Sequence, residues 1–501
     1  MVSDMASRQR GDLGGRLSQG RAPARVTVRL DADVARTTCG QHLTWMLVNL
    51  LARQADEISA LDLVVPPGIP VARPLSPFIQ AGADMASALR VGIGHINPRV
   101  LQPAANQRSH VSIRVGSGPL DEADLALATT AVGWMAYVGQ EPVDIVGQDD
   151  NPIGAYLAAC LAAGETFKYI RSMRPNAGAF AKRLWFDAFT LRLSLAPPAP
   201  RPLPTTISLP PTVLAGVGAV GSAFLHTLYA TPGLRGELTL IDNDPDGIDI
   251  TNLNRYVLFG LPHIGRPKAS TAAALIDHGC LVIHPFDGSW QEWRMQNQSH
   301  GLPLVVSAVD KNVARHAIQD ALPWLTLGAS TDGMRAQVNV YDPAQGGPCL
   351  RCRNRPEVAI PDDVVIERLR QLAPGERATE AENVGVAPMV LDAFLADPHA
   401  RCGLVSGAAL QKFRGGSDEV QWTVGFVSAL AGVALAAAYL ARYIDPASTA
   451  LDAQRNTFRF QFWRPDNVVA NTTVATPPER TCVCQDALFR RALALAHGGS
   501  P

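Results

Sequence analysis

The stretch TVLAGVGAVGS, residues 212–222, decides the fold. An apolar run suited to a strand meets Gly216, Gly218 and Gly221 at GxGxxG spacing, and a helix-patterned segment follows from about Ser222. This order opens a Rossmann-like β-α-β unit, in which the glycines let the backbone turn tightly and aim its amides and the helix N-terminus at an anionic ligand. A second strand is expected at residues 237–241, closed by Asp242, whose carboxylate suits a ribose hydroxyl. The turn alone fits NAD, FAD or ATP equally.

Upstream the same architecture is expected once more. Residues 25–30 alternate, a helical pattern runs through about 42–53, and a β-branched run follows at 61–65. The sequence DADVARTTCGQH stands where the glycine turn would be, so only the downstream copy can cradle a phosphate. Alanine-rich helices are expected at 151–172 and 426–443. The run APPAPRPLPTTISLPP, 196–211, can hold neither a helix nor a central strand and reads as a linker. The pattern breaks again after Pro356, where a charged segment without β-α alternation reads as an insertion. The chain therefore divides into a disordered N-terminus (1–24), a degenerate first domain (25–195), a linker (196–211), a second domain (212–355) with an inserted segment (356–420), and the completion of that second domain (421–501).

With 501 residues, 47% hydrophobic and 18% charged, and a formal net charge of -1, the chain reads as a globular protein with no field strong enough to capture nucleic acid. Residues 424–443 are long and apolar enough to span a membrane, but their alanine, glycine and serine content suits a buried helix. The N-terminus is polar, without the apolar core of a signal peptide, and a cytoplasmic location is expected. The eight cysteines are too few for a disulfide scaffold. Cys349 and Cys352 in CLRC, with Cys482 and Cys484 in CVC, form two short-range pairs that suit tetrahedral, structural zinc.

Further motifs follow the glycine turn in order: TNLNR at 251–255, Lys268 within GRPKA, an apolar run ending in Asp310, and the pair Ala314-Arg315. This ordered set resembles the ThiF/MoeB/HesA and ubiquitin-activating superfamily of adenylyltransferases, across roughly 212–353 and again after Val424. In layout the chain resembles the bacterial Bil-type (BilD-like) activating enzymes of ubiquitin-like conjugation systems linked to antiphage defence. The resemblance implies an α/β fold with two adenylation-type domains in tandem, the first degenerate and the second active. It also implies ATP, Mg2+ and Zn2+, with Asn252, Arg255 and Lys268 at the phosphates and Asp310 at magnesium. A carboxylate attacking the α-phosphorus of ATP builds negative charge on that phosphate and on the departing pyrophosphate, which the planar fork of Arg255 and the point charge of Lys268 would meet. The loop after Asp242 is longer than the family's, so either Asp242 or Asp244 would hold the ribose, with Asp242 preferred because it ends the strand. A further arginine comes from a partner subunit or the duplicate domain in many relatives, and Arg8 is the candidate for it. A homodimer is compatible with this layout.

Of the remaining cysteines, Cys160 and Cys280 read as small core residues and Cys39 lies where the degenerate copy lost its glycines. Cys402, in HARCGL beside Arg401 and near His399, has positive neighbours that favour a thiolate, and its place in an insertion resembles that of the family's acceptor cysteine. The expected function is adenylation of the C-terminal glycine of a ubiquitin-like protein, thioester formation on Cys402 and transfer to a conjugating enzyme. The alternatives are a sulfur-carrier adenylyltransferase of thiamine or molybdopterin synthesis, and a nucleotide-fold scaffold without turnover, against which intact Arg255, Lys268 and Asp310 argue.

Overall fold

A computed structural model of the chain describes Met5 and residues 23–498, apart from 56, 102–107, 146, 148, 173–179, 277–279, 299–300, 355–361, 397–404, 406 and 414–423. The first sheet contains β1 (Ala24–Leu30), β2 (Ile58–Val64), β3 (Val111–Val115), β4 (Leu125–Val132), β5 (Met135–Gly139), β6 (Arg183–Asp187) and β7 (Arg192–Ser194), ordered β2-β1-β3-β4-β5-β6-β7. The second contains β8 (Ile207–Ser208), β9 (Thr212–Ala215), β10 (Leu234–Asp242), β11 (Leu281–Asp287), β12 (Leu304–Ser307), β13 (Leu325–Asp332), β14 (Arg335–Tyr341), β15 (Thr457–Gln461) and β16 (Thr473–Val474), ordered β11-β10-β9-β12-β13-β14-β15-β16, with β8 beside β10. Each sheet is parallel around its first long strand and turns antiparallel at β4–β5 or β13–β14. The tandem α/β architecture expected from the sequence is therefore present, and the second copy adds β11 at its outer edge.

The strands follow from their patterns. β1 alternates buried and half-buried residues, whereas β9 and β12 are buried throughout and, apart from Thr212 and Ser307, apolar, as suits strands covered on both faces. The helix after β9 starts at Ala219, earlier than the expected Ser222, because Gly218 already serves as its N-cap. Within the proline-rich linker, the five residues between Pro204 and Pro210 leave room for β8, a short edge strand.

Helices Ile153–Ile170 and Gly425–Ile444 pack on each other, and the latter also covers helix Ala219–Ala230 and strands β13 and β14. Gly425–Ile444 is long and apolar enough to cross a membrane, but 83% of its apolar window is buried inside the fold, which makes it a core helix. The two halves meet along helix Thr38–Ala52, where Trp45 Nε1 donates to His226 Nε2 at 3.4 Å, while within the first half His42 Nδ1 lies 3.2 Å from Tyr156 Oη. Burial pulls both histidines down to about 3, so they are neutral.

Contacts divide the chain into two compact units. One takes in Gln19–Arg355 and Thr423–Pro501 and holds both sheets. The other takes in Pro356–Trp422, and its described residues form the helices Asp362–Gln371, Pro374–Val384, Pro388–Ala396 and Gly407–Phe413 around a core that includes Val365, Leu369, Leu391, Phe394 and Phe413.

Cys160 is buried in helix Ile153–Ile170, and Cys39 is buried with its thiol donating to Ala131 O at 3.3 Å. Cys280 is exposed, contrary to the expectation of a core thiol, because it precedes β11, an edge strand whose side chains are largely exposed.

Candidate functional site

Gly216 has φ +95°, and a Cβ there would lie 2.8 Å from Ala308 O, so only glycine lets the turn close against the backbone that leads to Asp310. A Cβ on Gly221 would fall 2.1 Å from Gly216 O. Gly218 caps helix Ala219–Ala230 without a side-chain bond to its first amides, which leaves that N-terminus suited to an anion. The corresponding place in the first half is closed by its own side chains. Thr37 Oγ1 accepts from Gly40 N at 3.0 Å, capping helix Thr38–Ala52. Asp31, directly after β1, accepts from Gly118 N at 2.7 Å and pairs with Arg114 at 2.7 Å.

Asp242 closes β10 and turns inward: Oδ2 accepts from Val217 N at 2.7 Å and Oδ1 from Asp244 N at 3.1 Å. Its carboxyl is raised above the usual range, chiefly by burial. One oxygen thus shapes the glycine turn and the other the loop that follows β10. Asp244 is a third exposed and faces Lys268 Nζ, which also donates to Tyr256 Oη at 3.1 Å. The Lys268 side chain is 5% exposed. Burial pulls its ammonium down, but Tyr256, Asp242 and Asp244 outweigh that and hold it above its ordinary value, so it stays charged.

The NLNR segment is organised from Asp249, whose Oδ1 accepts from Thr251 N at 2.7 Å and Thr251 Oγ1 at 2.6 Å. Asn252 is buried, and Arg255 is half-buried with Nη2 3.4 Å from Asn252 Oδ1. Asp310 is exposed beyond the end of β12 and is not a helix cap, since Lys311 takes that place before helix Asn312–Asp320. Arg315 steadies this corner by donating to Val309 O at 2.9 Å, Asn312 Oδ1 at 2.7 Å and Asn354 Oδ1 at 3.1 Å.

The glycine turn, Asp242 and Asp310 therefore follow the carboxyl ends of β9, β10 and β12, where open α/β sheets bind ligands. Lys268 reaches the same corner through Asp244, and the NLNR segment reaches Lys268 through Tyr256. Tyr256, directly after the NLNR motif, and Asp249, three residues before it, are residues that the motif spacing alone does not single out. Arg8, His399, Arg401 and Cys402 lie outside the described residues.

The four cysteines form one cluster. Sγ–Sγ distances are 3.8 Å for Cys349–Cys352, 3.5 Å for Cys349–Cys482 and 3.4 Å for Cys352–Cys484, and all four sulfurs lie within 4.8 Å of one another. Zn–S bonds of about 2.3 Å place tetrahedral sulfurs about 3.8 Å apart, so the donors fit a zinc ion with no position left open. CVC thus closes a site with CLRC despite its shorter spacing, because short helical turns at Leu350–Arg353 and Val483–Gln485 each bend their second cysteine back. Glu479 N donates to Cys352 Sγ at 3.4 Å and Gln485 Nε2 to Cys484 Sγ at 3.3 Å, the outer bonds that orient thiolate ligands.

Residues 208–484 match the ThiF family, and residues 25–184 match the BilD N-terminal domain. A protein of Sinorhizobium fredii described as uncharacterized protein y4jF is 25% identical over 95% of this chain and 92% of its own length. The adenylyltransferase and sulfurtransferase MOCS3 of Arabidopsis thaliana is 30% identical over 28% of this chain and 30% of its own. The SAMP-activating enzyme E1 of Haloferax volcanii is 28% identical over 34% of this chain and 64% of its own. The last two matches span less than two thirds of those relatives.

Proposed function

We propose, from the premise that the chain belongs to the ThiF family, that it activates the C-terminal carboxylate of a ubiquitin-like protein with ATP. An adenylyltransferase of the E1-like kind is the general activity. In the proposed step a carboxylate oxygen attacks the α-phosphorus, the bond to the β-phosphate oxygen breaks, and pyrophosphate leaves with the charge. One observation carries the reading: a buried, charged Lys268 held by Asp244 and Tyr256 next to the NLNR segment, beside a glycine turn with an open helix N-terminus. Lys268, Arg255 and Asn252 would meet the phosphate charge, Asp310 would hold the magnesium ion of the nucleotide, and the four cysteines would hold zinc as a structural clip. Asp242 or Asp244 would accept a ribose hydroxyl: Asp242 accepts from Val217 N and Asp244 N, whereas Asp244 accepts from Asp246 N and Lys268 and is the more exposed of the two.

The second step proposed is attack of the Cys402 thiolate on the acyl carbon, which expels AMP and leaves a thioester for a conjugating enzyme, in a bacterial conjugation system of the antiphage kind. The BilD N-terminal match at residues 25–184 supports this reading, and a sulfur-carrier role is the second reading, favoured by the match to the adenylyltransferase and sulfurtransferase MOCS3. The test is ATP–pyrophosphate exchange with a panel of ubiquitin-like proteins, including any encoded by neighbouring genes. Exchange that requires a free C-terminal glycine supports adenylation, and none with any panel member sinks it. A thiol-sensitive adduct that persists in Cys402→Ala removes Cys402 as acceptor.

A further inference from the structure

The segment that carries Asn252 and Arg255 is not held by its own half alone. Arg53, at the end of helix Thr38–Ala52 in the first half, donates Nη2 to Phe259 O at 2.7 Å and Nη1 to Leu253 O, while its Nε donates to Asn49 Oδ1 at 2.6 Å. Asn49, one turn earlier, passes its amide to Val257 O at 3.0 Å. One helical turn of the first half thus reads three backbone carbonyls spread over residues 253–259. Arg53 is fully buried, and among the described residues its partners are oxygens without a carboxylate, so no ion pair explains its burial. A buried guanidinium without a counter-charge is costly and persists where each of its nitrogens finds an acceptor, as here.

The opposite side of the segment is equally constrained. A Cβ on Gly425, at the start of the core helix, would lie 2.6 Å from Asn254 O and 3.3 Å from Arg255 Cα, so that helix presses directly on the NLNR backbone. Tyr256, inside the clamped stretch, accepts from Lys268 Nζ. A shift of this backbone would therefore move Asn252, Arg255 and the partner of Lys268 together.

We propose that Arg53 and Asn49 are positioning residues: the half that lost its glycine turn holds the phosphate-facing segment of the other half in its working geometry. This rests on the adenylation reading for its kinetic consequence and on geometry alone for its structural one. A misplacement of about 1 Å at a catalytic group costs on the order of a hundredfold in rate, while the glycine turn, which Arg53 does not touch, continues to bind nucleotide.

The experiment compares wild type with Arg53→Lys, Arg53→Met, Asn49→Ala and, as a control for a merely cross-half contact, Trp45→Phe, at a temperature where circular dichroism shows each folded. Hydrogen exchange is read over residues 252–263 and over β9 and β12, and pyrophosphate exchange is read as kcat and KM for ATP. Expected for Arg53→Met is a drop in kcat of tenfold or more, with KM within about threefold and faster amide exchange confined to 252–263. Arg53→Lys, which keeps the charge but not the fork, falls between, and Asn49→Ala gives the same pattern more weakly if the first variant does not fold. Trp45→Phe loses stability with kcat unchanged. If amide exchange at 252–263 is unaltered in folded Arg53 and Asn49 variants, or if kcat per folded molecule stays within twofold of wild type, the positioning role is wrong. If wild type itself gives no pyrophosphate exchange while 252–263 still loosens in the variants, the adenylation reading fails and the clamp stands.

Discussion

Gly221→Ala is the sharpest test of the glycine turn as a built object. The added methyl would sit 2.1 Å from Gly216 O, where a carbon and an oxygen need about 3.2 Å, so something must retreat by about 1 Å. The turn cannot retreat, because Gly216 itself approaches the Ala308 backbone so closely that a Cβ on it would lie 2.8 Å from the carbonyl oxygen. The first turn of helix Ala219–Ala230 must therefore back away, against Gly432, whose own Cβ would meet Val220 O at 2.4 Å. Overpacking of this kind costs about 1–3 kcal/mol, while alanine in a helix recovers up to about 1 kcal/mol over glycine. The net expectation is a loss of up to about 3 kcal/mol in urea unfolding, small enough to leave the protein folded. The larger effect falls on nucleotide: a helix N-terminus drawn back by about 1 Å breaks amide contacts to phosphate, and ATP affinity by calorimetry should fall by tenfold or more. Wild-type ATP affinity in Gly221→Ala would refute the placement of the nucleotide on this turn, whatever happened to stability.

Lys268→Met keeps the aliphatic stem in its buried place and removes the cation, so stability should move by less than about 1 kcal/mol, because Asp244 is a third exposed, while pyrophosphate exchange falls by about 100-fold or more. An exchange rate within threefold of wild type would exclude Lys268 from the phosphate site. Purified protein should carry a single zinc ion per chain by elemental analysis, and Cys349→Ala with Cys484→Ala should lose it and loosen residues 475–496 in hydrogen exchange. Unchanged zinc content in that double variant would place the metal elsewhere. His42 and His226, held down to about 3 by burial, refuse protons that the unfolded chain accepts below about 6.5, so stability is greatest above that pH and declines as pH falls toward 3. From pH 7 to pH 5 the loss is about 2 kcal/mol per histidine; His226→Phe should flatten the pH dependence of the urea midpoint, and an unaltered slope would show the histidines are not its source.

Much of the fold was legible because its signals are local. GxGxxG between an apolar tetrapeptide and a helical pattern specifies strand, turn and helix within eleven residues, and CLRC specifies a thiol pair. What was not legible depends on partners distant in sequence. Asp242 and Asp244 are equivalent as letters, and only the fold separates them, by directing one at Val217 N and the other at Lys268. Cys280 has an apolar neighbourhood in sequence and an exposed place in space, because nothing local says that β11 is an edge strand. Arg53 follows an apolar helix and reads as a charged terminus; its burial is set by carbonyls 200 and 206 residues away.

The first half shows what a nucleotide-binding fold becomes when the loop is lost but the topology is retained. Its strand order around β1 reproduces that around β9, so the ends of β1 and β3 still define the crevice where a ligand would bind. Losing the glycines there exposes a helix N-terminus and strand-end amides that must find partners in the fold or in water. Thr37 supplies the cap, Asp31 accepts from Gly118 N, and Arg114 neutralises Asp31, so the crevice is satisfied from within. It is at the opposite end of the same helix, at Asn49 and Arg53, that the first half reaches into the second. Duplication thus separated two tasks that one domain would have to combine: the second half keeps an open, anion-seeking turn, and the first gives up its own turn and retains a rigid helix to steady its neighbour's phosphate-facing segment.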